Sequence, residues 1–439
     1  MKIIKNTVLL VIFLSTLQGI SQEILTKKEA LEITLENNFG VKIANNNLEV
    51  AKNNKSIFNT GFLPTVSVFS GANYSNDDQT ITRQDGTSTT VNGAVTKSYS
   101  ASVGLDYTLF DGLGRRYNYK QLKETYNLTE LQAKETIENT YLQLFTAYFQ
   151  IARLSENRNN LSEALTISKQ RLERAKYQYD YGQSTRLELL NAEVDVNNDS
   201  IALISARQQL SNEKRGLNII LGVEKKVDYV VETEVEFIGM MNFVDLEAKT
   251  LANNSLLKQN EKNIAISEFN IKVNKANYLP TLALSTSYDW GKSENPATSF
   301  LAGSTSNGLN AGLSLSWSLF DGGSTKTNVA NAKISLENQQ ILLEQQKITI
   351  QNNLKNTWDT YNNQLFIIGA QEKNVATTQN NFDRTEERYK LGQVTSIEFR
   401  QAQINLINAK TALNNAKFDT KLIELQLLQL SGDILNVSF

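Results

Sequence analysis

The sequence YTLFDG at residues 107–112 returns 210 positions later as WSLFDG at residues 317–322. A second stretch, YGQSTRLE at residues 181–188, returns at the same offset as LGQVTSIE at residues 391–398. The period is far longer than the ~20–50-residue units of solenoid proteins. The chain is therefore predicted to hold one internal duplication, with strands and long helices in each copy.

The segments that lead into both hexapeptides alternate apolar and polar residues. Residues 309–319 place Leu, Ala and Trp on one face and Asn, Gly and Ser on the other, and residues 99–109 do much the same. Weaker alternation follows Pro64 and Pro280. Such a pattern fits a half-buried soluble sheet or a transmembrane β-strand of ~9–11 residues. Because the residues on the polar face are small, we favour four membrane strands per chain. The free edges of these strands would have to pair with further copies of the chain.

The segments that follow the hexapeptides are predicted to form unusually long helices. Residues 115–181 contain neither proline nor glycine and, if wholly helical, would extend roughly 100 Å. The last helix carries an apolar seam with the 3-4 spacing of a coiled coil. The seam consists of Phe399, Ala402, Leu406, Ala409, Leu413, Ala416, Thr420, Ile423, Leu427 and Leu430. The residues 210 positions before those of the seam are apolar as well, except Asp199 and Glu213. A soluble helical bundle would explain these helices, but not the strands.

Composition excludes several classes of function. The 439 residues include no histidine and no cysteine, which removes thiolate nucleophiles, Ser–His triads, His-ligated zinc and disulfides. The formal net charge is −2, without the basic patch that nucleic acid requires. An enzyme would have to work with carboxylates, lysine or tyrosine alone, which is uncommon. We expect no catalytic site, no metal site, no cofactor and no nucleic-acid partner.

Residues 1–21 are predicted to form a secretory signal peptide. Lys2 and Lys5 supply the charged start, residues 8–17 the apolar stretch, and residues 19 and 21 the small side chains before cleavage. The apolar run is too short to span a membrane, and no run of ~20 apolar residues follows it.

The order of these segments resembles the TolC family of outer membrane efflux proteins. LTKKEAL at residues 25–31, followed by Asn37 and Asn38, resembles the family's opening segment. RYKLGQVTSIE at residues 388–398, with Ala402, resembles its second hairpin turn. The resemblance implies an α+β membrane protein. A long α-helical coiled-coil tunnel would join a transmembrane β-barrel that three chains share, with four strands from each chain.

The resemblance also implies a function and a set of partners. A homotrimer in outer membrane lipid would serve as the passive exit duct of a tripartite efflux or type I secretion system, with its helical tunnel in the periplasm. It would receive substrate from an inner-membrane pump through a periplasmic adaptor, also called a membrane fusion protein. The alternatives are a non-channel periplasmic adaptor or structural protein with long coiled coils, and a periplasmic enzyme, for which no clustered polar site is evident.

The duplication divides the chain into predicted regions. A first repeat, 22–221, would hold a strand hairpin at about 65–110 and a helical hairpin with its tip at about 182–185. A mixed equatorial segment would follow at 222–242. A second repeat, 243–432, would hold a strand hairpin at about 281–320 and a tip at about 392–395, before a periplasmic tail at 433–439.

The two hairpin turns share the pattern Thr-x-x-Glu, which has two interpretations. It fits a capping box, in which Thr caps the new helix and Glu reaches back to the cap. The resemblance adds a carboxylate ring that gates the periplasmic mouth. The gate candidates are Arg186, Glu188, Glu398 and Gln401. Glu398 matches an acidic family position, whereas Gln401 replaces an acid. Where one family member has arginine in its second turn, this chain has Val394, so we expect Arg186 to pair with Glu188 or Glu398 of an adjacent turn.

Two further sets of residues receive roles from the resemblance and the strand pattern. The candidate adaptor contacts at the turns are Gly182, Gln183, Gly392 and Gln393. The candidate membrane-interface aromatics at the strand ends are Tyr107, Phe110, Tyr288, Trp317 and Phe320. Asp111 and Asp321 are expected to shape the turns from strand to helix.

Overall fold

The computed structural model describes residues 24–224, 226, 228–239 and 241–437, so the predicted signal peptide lies outside the described residues. The helices are α1 (Lys27–Asn37), α2 (Phe39–Asn54), α3 (Gly114–Asp180), α4 (Arg186–Leu221), α5 (Phe243–Asn253), α6 (Ser255–Ala276), α7 (Ser324–Lys390) and α8 (Ser396–Leu430). The strands are β1 (Ile24–Leu25), β2 (Thr65–Thr82), β3 (Ser88–Asp111), β4 (Val230–Val231), β5 (Thr281–Glu294) and β6 (Gly303–Ser316). Among the described helices, none has the length and apolar composition needed to cross a membrane.

Two spatial units divide the chain. Among the described residues, the first unit consists of those within 24–46, 131–258 and 345–437, and the second of residues 47–130 and 259–344. Both units therefore draw on both halves of the duplication, as interleaved copies of one motif would.

The second unit contains a four-stranded antiparallel sheet in the order β2-β3-β5-β6. The two hairpins meet through β3 and β5, so each copy of the repeat supplies half of the sheet. This arrangement confirms the α+β fold with four strands per chain that the alternation predicts.

One face of the sheet is apolar and exposed. Val103 lies opposite Tyr288, and Leu284 lies opposite Leu313. Val68 at one edge and Leu313 at the other are 73% and 64% exposed, so the described residues of this chain do not cover the face. On the other face, small polar residues meet, such as Ser102 opposite Asp289.

The first strand hairpin extends further than alternation alone indicates. Most of the segment 75–97, which is rich in Ser, Thr, Asn, Asp and Gly, lies in β2 and β3. Its polar residues continue the ladder, because the hydroxyl oxygens of Thr80 and Thr90 lie 2.9 Å apart across the strands. β-branched threonine favours strands, and such cross-strand pairs stabilise them.

Alternation also fails at one point near the end of β3. The pairing shifts between Thr108 and Phe110, so that Phe110 lies opposite Leu282 on the apolar face. Strict alternation assigned that face to Leu109 instead. The extra residue is a β-bulge, which reverses the inward and outward order of the side chains that follow it.

The strand-to-helix turns are formed by Asp111 and Asp321, as expected. The Asp111 carboxylate accepts the backbone N–H of Arg115 at 2.8 Å, and that of Asp321 accepts the N–H of Thr325 at 2.7 Å. Each satisfies a backbone donor that has no partner in the first turn of its helix.

The core of the first unit is aromatic and fixes the short strands. The Tyr148 hydroxyl donates to the carbonyl of Leu25 at 2.7 Å and accepts the N–H of Glu232 at 3.0 Å. One buried side chain on α3 therefore holds both β1 and the end of β4, which pair in parallel. Phe145 and Phe149 pack against it, with ring centroids 6.3 and 6.0 Å away.

A buried ion pair holds the segment that follows β4. Lys421 and Glu424 on α8 are 3% and 0% exposed and contact each other at 2.5 Å. Lys421 donates to the carbonyl of Glu236 at 2.8 Å, and Glu424 accepts the N–H of Ile238 at 2.8 Å. These bonds give the irregular backbone the partners that buried polar groups require.

Candidate functional site at the helical tips

Both long helical hairpins of the first unit turn on a glycine. The first tip (residues 181–188) joins α3 to α4, and the second tip (residues 391–398) joins α7 to α8. Gly182 and Gly392 have φ angles of 70° and 73°, in the left-handed region that residues with a Cβ rarely adopt. The next amide in each tip donates back into the finished helix, from Gln183 to Gln178 at 2.7 Å and from Gln393 to Arg388 at 2.8 Å.

The second tip carries a complete capping box. The Thr395 hydroxyl accepts the N–H of Glu398 at 3.2 Å, and the Glu398 carboxylate accepts the N–H of Thr395 at 2.7 Å. Hydrogen bonds from the backbone N–H and then the hydroxyl of Thr395 lower the pKa of Glu398 below its ordinary value. The capping interpretation is therefore confirmed at this turn.

The first tip carries only half of the box. The Thr185 hydroxyl accepts the N–H of Glu188 at 3.4 Å, but the Glu188 carboxylate accepts the Ser184 hydroxyl at 2.5 Å. Serine at position 184 offers a nearer donor than the cap backbone, whereas Val394 offers none at the second tip. The two turns share a backbone shape and differ in the bonds of their carboxylates.

The remaining gate candidates lie close to these carboxylates in the sequence. Arg186 is the first residue of α4 and is exposed. Gln401 lies on α8, where its amide donates to Asn405 at 2.8 Å. Glu188 and Glu398 each bond within their own turn, and the pairing of Arg186 with an adjacent turn stays a prediction.

The tips also present an exposed surface. Gly182, Gln183, Gly392 and Gln393 are all exposed. Apolar side chains flank them at matching positions: Tyr181 and Leu391 are 79% and 72% exposed, and Leu187 and Ile397 are 66% and 72% exposed. Each tip therefore offers polar amides between apolar side chains.

An ionic cluster that no sequence motif indicates lies further along the same helices. The cluster comprises Arg171, Asp195, Asp199 and Arg400. Arg400 on α8 donates two hydrogen bonds, of 2.8 and 2.7 Å, to the carboxylate of Asp199 on α4. These bonds join the second hairpin to the first. Such bidentate, charge-assisted bonds are the strong ones.

The electrostatics of this cluster favour the charged forms. Burial opposes the charge of Asp199, but bonds from Arg400 and Ser168 hold its pKa below the ordinary value. The sequence contains one signal for the cluster, because Asp199 occupies a seam position where an apolar residue is expected.

Three of the candidate interface aromatics, Tyr107, Phe110 and Tyr288, lie in the strands of the sheet, and Trp317 and Phe320 follow the end of β6. Tyr288, Trp317 and Phe320 are 54%, 56% and 85% exposed. The indole N–H of Trp317 donates to the carbonyl of Tyr278 at 3.1 Å, which leaves the ring open and satisfies its polar end. Tyr107 lies opposite Leu284, and the bulge brings Phe110 to the same face. In the described part of the chain, no group of three or more His, Cys, Asp or Glu residues is arranged to hold a metal ion.

These features define a class of protein with long paired α-helices and an open sheet that has an exposed apolar face. The model of the family described as outer membrane efflux protein matches residues 30–223 and 246–433. The chain belongs to this family. Its members are outer membrane channels rather than enzymes, and their helical tunnel lies in the periplasm.

Individual relatives agree with this assignment. The chain is 22% identical to the outer membrane protein TolC of Vibrio cholerae over 306 residues, covering 69% of this chain and 70% of the relative. It is 22% identical to TolC of Escherichia coli over 360 residues, covering 78% and 71%.

Solved structures show the same fold. The Campylobacter jejuni CmeC outer membrane channel has a TM-score of 0.77 at 16% identity, covering 93% of this chain and 85% of that one. The channel-forming protein CusC has a TM-score of 0.75 at 16% identity, covering 92% and 91%.

Proposed function

We propose that this outer membrane efflux channel is the passive exit duct of a tripartite system and is gated at its periplasmic helical tips. Efflux and type I secretion both use such a duct. An inner-membrane pump would load it through a periplasmic adaptor, and three copies of the chain would form it. The observation that carries the proposal is the open sheet with one apolar and one small polar face.

The argument for a homotrimer starts from the edges of that sheet. In the described residues, β2 and β6 each pair on one side only. A free strand edge is not tolerated in lipid, because its N–H and C=O groups find no water. Pairing β6 of one copy with β2 of the next satisfies both edges, and three copies supply twelve strands. The alternative, a non-channel adaptor with long coiled coils, has no use for such a sheet.

Cysteine cross-linking tests the trimer directly, since the native chain contains no cysteine. Val68→Cys on β2 and Leu313→Cys on β6 place thiols on the exposed face of both edge strands. Oxidation of the double variant in outer membranes should give dimer and trimer bands. Each single variant is the matched control and should give no trimer. A protein that stays monomeric and soluble without detergent would contradict the proposal.

The proposed gate places Arg186 against Glu188 or Glu398 of an adjacent turn. Breaking this contact should raise the closed-state conductance of channels reconstituted in planar bilayers. Arg186→Ala is the test, and Arg207→Ala, which removes another exposed arginine from α4, is the matched control. If both variants conduct like the parent protein, Arg186 does not keep the channel closed.

The proposed adaptor contact involves the exposed tip amides. A bulky side chain at Gln393 should weaken cross-linking to the adaptor without affecting trimer assembly, since the residue has no part in the sheet. Gln393→Trp is the test, and Gln208→Trp, which lies well inside α4, is the control. Equal cross-linking to the adaptor in both variants would show that Gln393 of the second tip does not contact the adaptor.

A further inference from the structure

The apolar face of the sheet ends in charged side chains on the side of the two hairpin turns. On this face Lys292 of β5 lies opposite Tyr99 of β3, and Glu294 lies opposite Lys97. From Leu282 to Glu294 of β5, and among the residues that pair with them on β3 and β6, these two lysines and Glu294 are the charged side chains of this face. All three lie on its last two rungs, which we call the charged border.

The connections of the strands show which side of a membrane this border would face. β3 leads into α3, and β6 leads towards α7, at the end of the sheet opposite the hairpin turns. The helical tunnel of the family lies in the periplasm. In the proposed barrel, the charged border therefore faces the outer leaflet.

The distance along β5 places the charged border at the level of the lipid head groups. Lys292 lies about ten residues beyond Leu282, at the other end of the apolar face. At about 3.4 Å per residue, along a strand tilted by ~35–45°, this distance corresponds to a height of about 24–28 Å. The apolar band of a membrane barrel is about 25 Å tall.

Exposed aromatic side chains indicate the same level independently of that length. Tyr74 lies opposite Lys97, Tyr99 lies opposite Lys292, and Trp290 comes one rung before Lys292. The three rings are 63%, 40% and 40% exposed, in the same order. Tyrosine and tryptophan occupy the interface between lipid and water, and a lysine stem extends along apolar surface while its ammonium stays at the polar edge.

The charges of the border determine what kind of head group fits. The Lys292 amine lies 3.0 Å from the Glu294 carboxylate, and Lys97 lies opposite the same Glu294. On the next rung outward, β2 and β3 pair Asn76 with Val95, which are both uncharged. Two ammonium groups therefore share one carboxylate, and one positive charge per chain is left for an anionic group outside the chain.

We propose that the charged border binds a phosphate-bearing glycolipid of the outer leaflet, of the kind represented by lipid A. The amines of Lys97 and Lys292 donate hydrogen bonds to the phosphate oxygens, and the acyl chains lie along the apolar face from Trp290 inward. A zwitterionic phospholipid fits less well, because its own ammonium group would meet the two lysines. The inference rests on the proposed barrel, since only a sheet within a membrane has a lipid leaflet at this level.

Binding of lipid A to the detergent-purified trimer, measured by native mass spectrometry, tests the role of the phosphate. The comparison lipid is the same lipid A after its phosphates have been removed. The parent protein should bind the phosphorylated form about tenfold more tightly or better, because each lysine near an anionic head group contributes to binding. Equal affinities would overturn the proposal. Displacement of lipid A by an equal concentration of inorganic phosphate would overturn it as well, because the lysines would then bind a free anion.

Variants test the role of the lysines. Lys97→Gln/Lys292→Gln should weaken binding of lipid A about tenfold or more, whereas Lys97→Arg/Lys292→Arg should retain most of it, because arginine keeps the charge. Lys333→Gln/Lys355→Gln is the matched control, since it removes two exposed lysines from α7, one of which pairs with a carboxylate as Lys292 does. Unchanged binding in Lys97→Gln/Lys292→Gln would refute the site.

The carboxylate supplies a test with the opposite sign. Glu294→Gln frees the Lys292 amine from its ion pair, so the binding of lipid A should become tighter. Weaker binding in this variant would contradict the proposal, because it would mean that the ion pair and not the ammonium charge holds the lipid.

Failure of this inference differs from failure of the proposed function. If the cysteines at Val68 and Leu313 still cross-link into a trimer while the lysine variants bind lipid A like the parent, the barrel stands and the lipid site is wrong. If no trimer forms, the barrel is wrong and the lipid site is wrong with it.

Discussion

The two helical tips have the same backbone and different side-chain bonds. Both turn on a glycine with φ near 70° and begin the next helix with a threonine cap. At the second tip, Glu398 closes a capping box on Thr395, whereas at the first tip Glu188 bonds to Ser184. The two copies therefore share the turn and differ in the hydrogen bonds of its carboxylate, which is the group that a gate would use.

The surroundings of the tips differ as well. The second tip has α3 as a direct neighbour, because Arg174 donates to the carbonyl of Lys390 and its guanidinium lies 5.2 Å from the centre of the Tyr389 ring. Further along the helices, Arg400 of the second hairpin donates a hydrogen bond to the carboxylate of Asp199 in the first hairpin. The following changes test how strongly each hairpin is held.

The largest effect is expected where the hairpins are joined by buried charge. Arg400→Met leaves Asp199 without its bidentate partner, and breaking such a pair costs about 3 kcal/mol. The urea midpoint of the detergent-solubilised protein should fall accordingly. In the double variant Arg400→Met/Asp199→Asn, much of the loss should be recovered, because no uncompensated charge remains. A single variant as stable as the parent would show that the pair does not hold the hairpins together.

The turns themselves should respond equally to loss of glycine. Gly182→Ala and Gly392→Ala each force a Cβ into the left-handed region, at a cost of about 1 kcal/mol. Space is open around both positions, so backbone strain alone sets the cost. Hydrogen exchange of the tip amides should accelerate to a similar extent in both variants. A clear inequality would mean that the backbones are not equivalent.

The caps should respond unequally. Thr395→Val removes the hydroxyl that accepts the N–H of Glu398 at 3.2 Å, at a cost of about 1 kcal/mol to the start of α8. Thr185→Val removes a longer bond of 3.4 Å, and about 0.5 kcal/mol is expected. Amide exchange in the first turns of α4 and α8 measures both. Equal losses would indicate that the Thr185 hydroxyl caps α4 as strongly as the Thr395 hydroxyl caps α8.

The smallest effect is a pH dependence at the second tip. The pKa of Glu398 lies below its ordinary value of 4.5 in the folded protein, because Thr395 donates to the carboxylate. Because this pKa is lower in the folded than in the unfolded protein, the ionised carboxylate stabilises the fold. This stabilisation is fully present above the unfolded pKa and is lost as the pH falls through the folded pKa. The protection of the amides at the start of α8, measured relative to their intrinsic exchange rates, should therefore fall below about pH 4.5. Glu398→Gln keeps the length without the titration, and a pH response that persists in it would point to another group.

Much of the fold follows from the sequence because local patterns record it. Alternation over residues 309–319 marks an apolar face, and the 3-4 spacing from Phe399 marks a helix that packs along a partner. Glycine at 182 and 392 marks turns that require positive φ. Each signal lies within about ten residues, so no long-range contact is needed to read it.

What the sequence leaves open depends on contacts between distant segments. The bulge that turns Phe110 to the apolar face depends on pairing with β5, about 170 residues away. The partner of Asp199 lies on another helix, and nothing near Asp199 indicates Arg400. Repetition and periodicity determined the duplicated α+β architecture and the shape of both tips. Only the tertiary structure decided which charges meet, because a buried charge finds its partner through the packing of helices far apart in the chain.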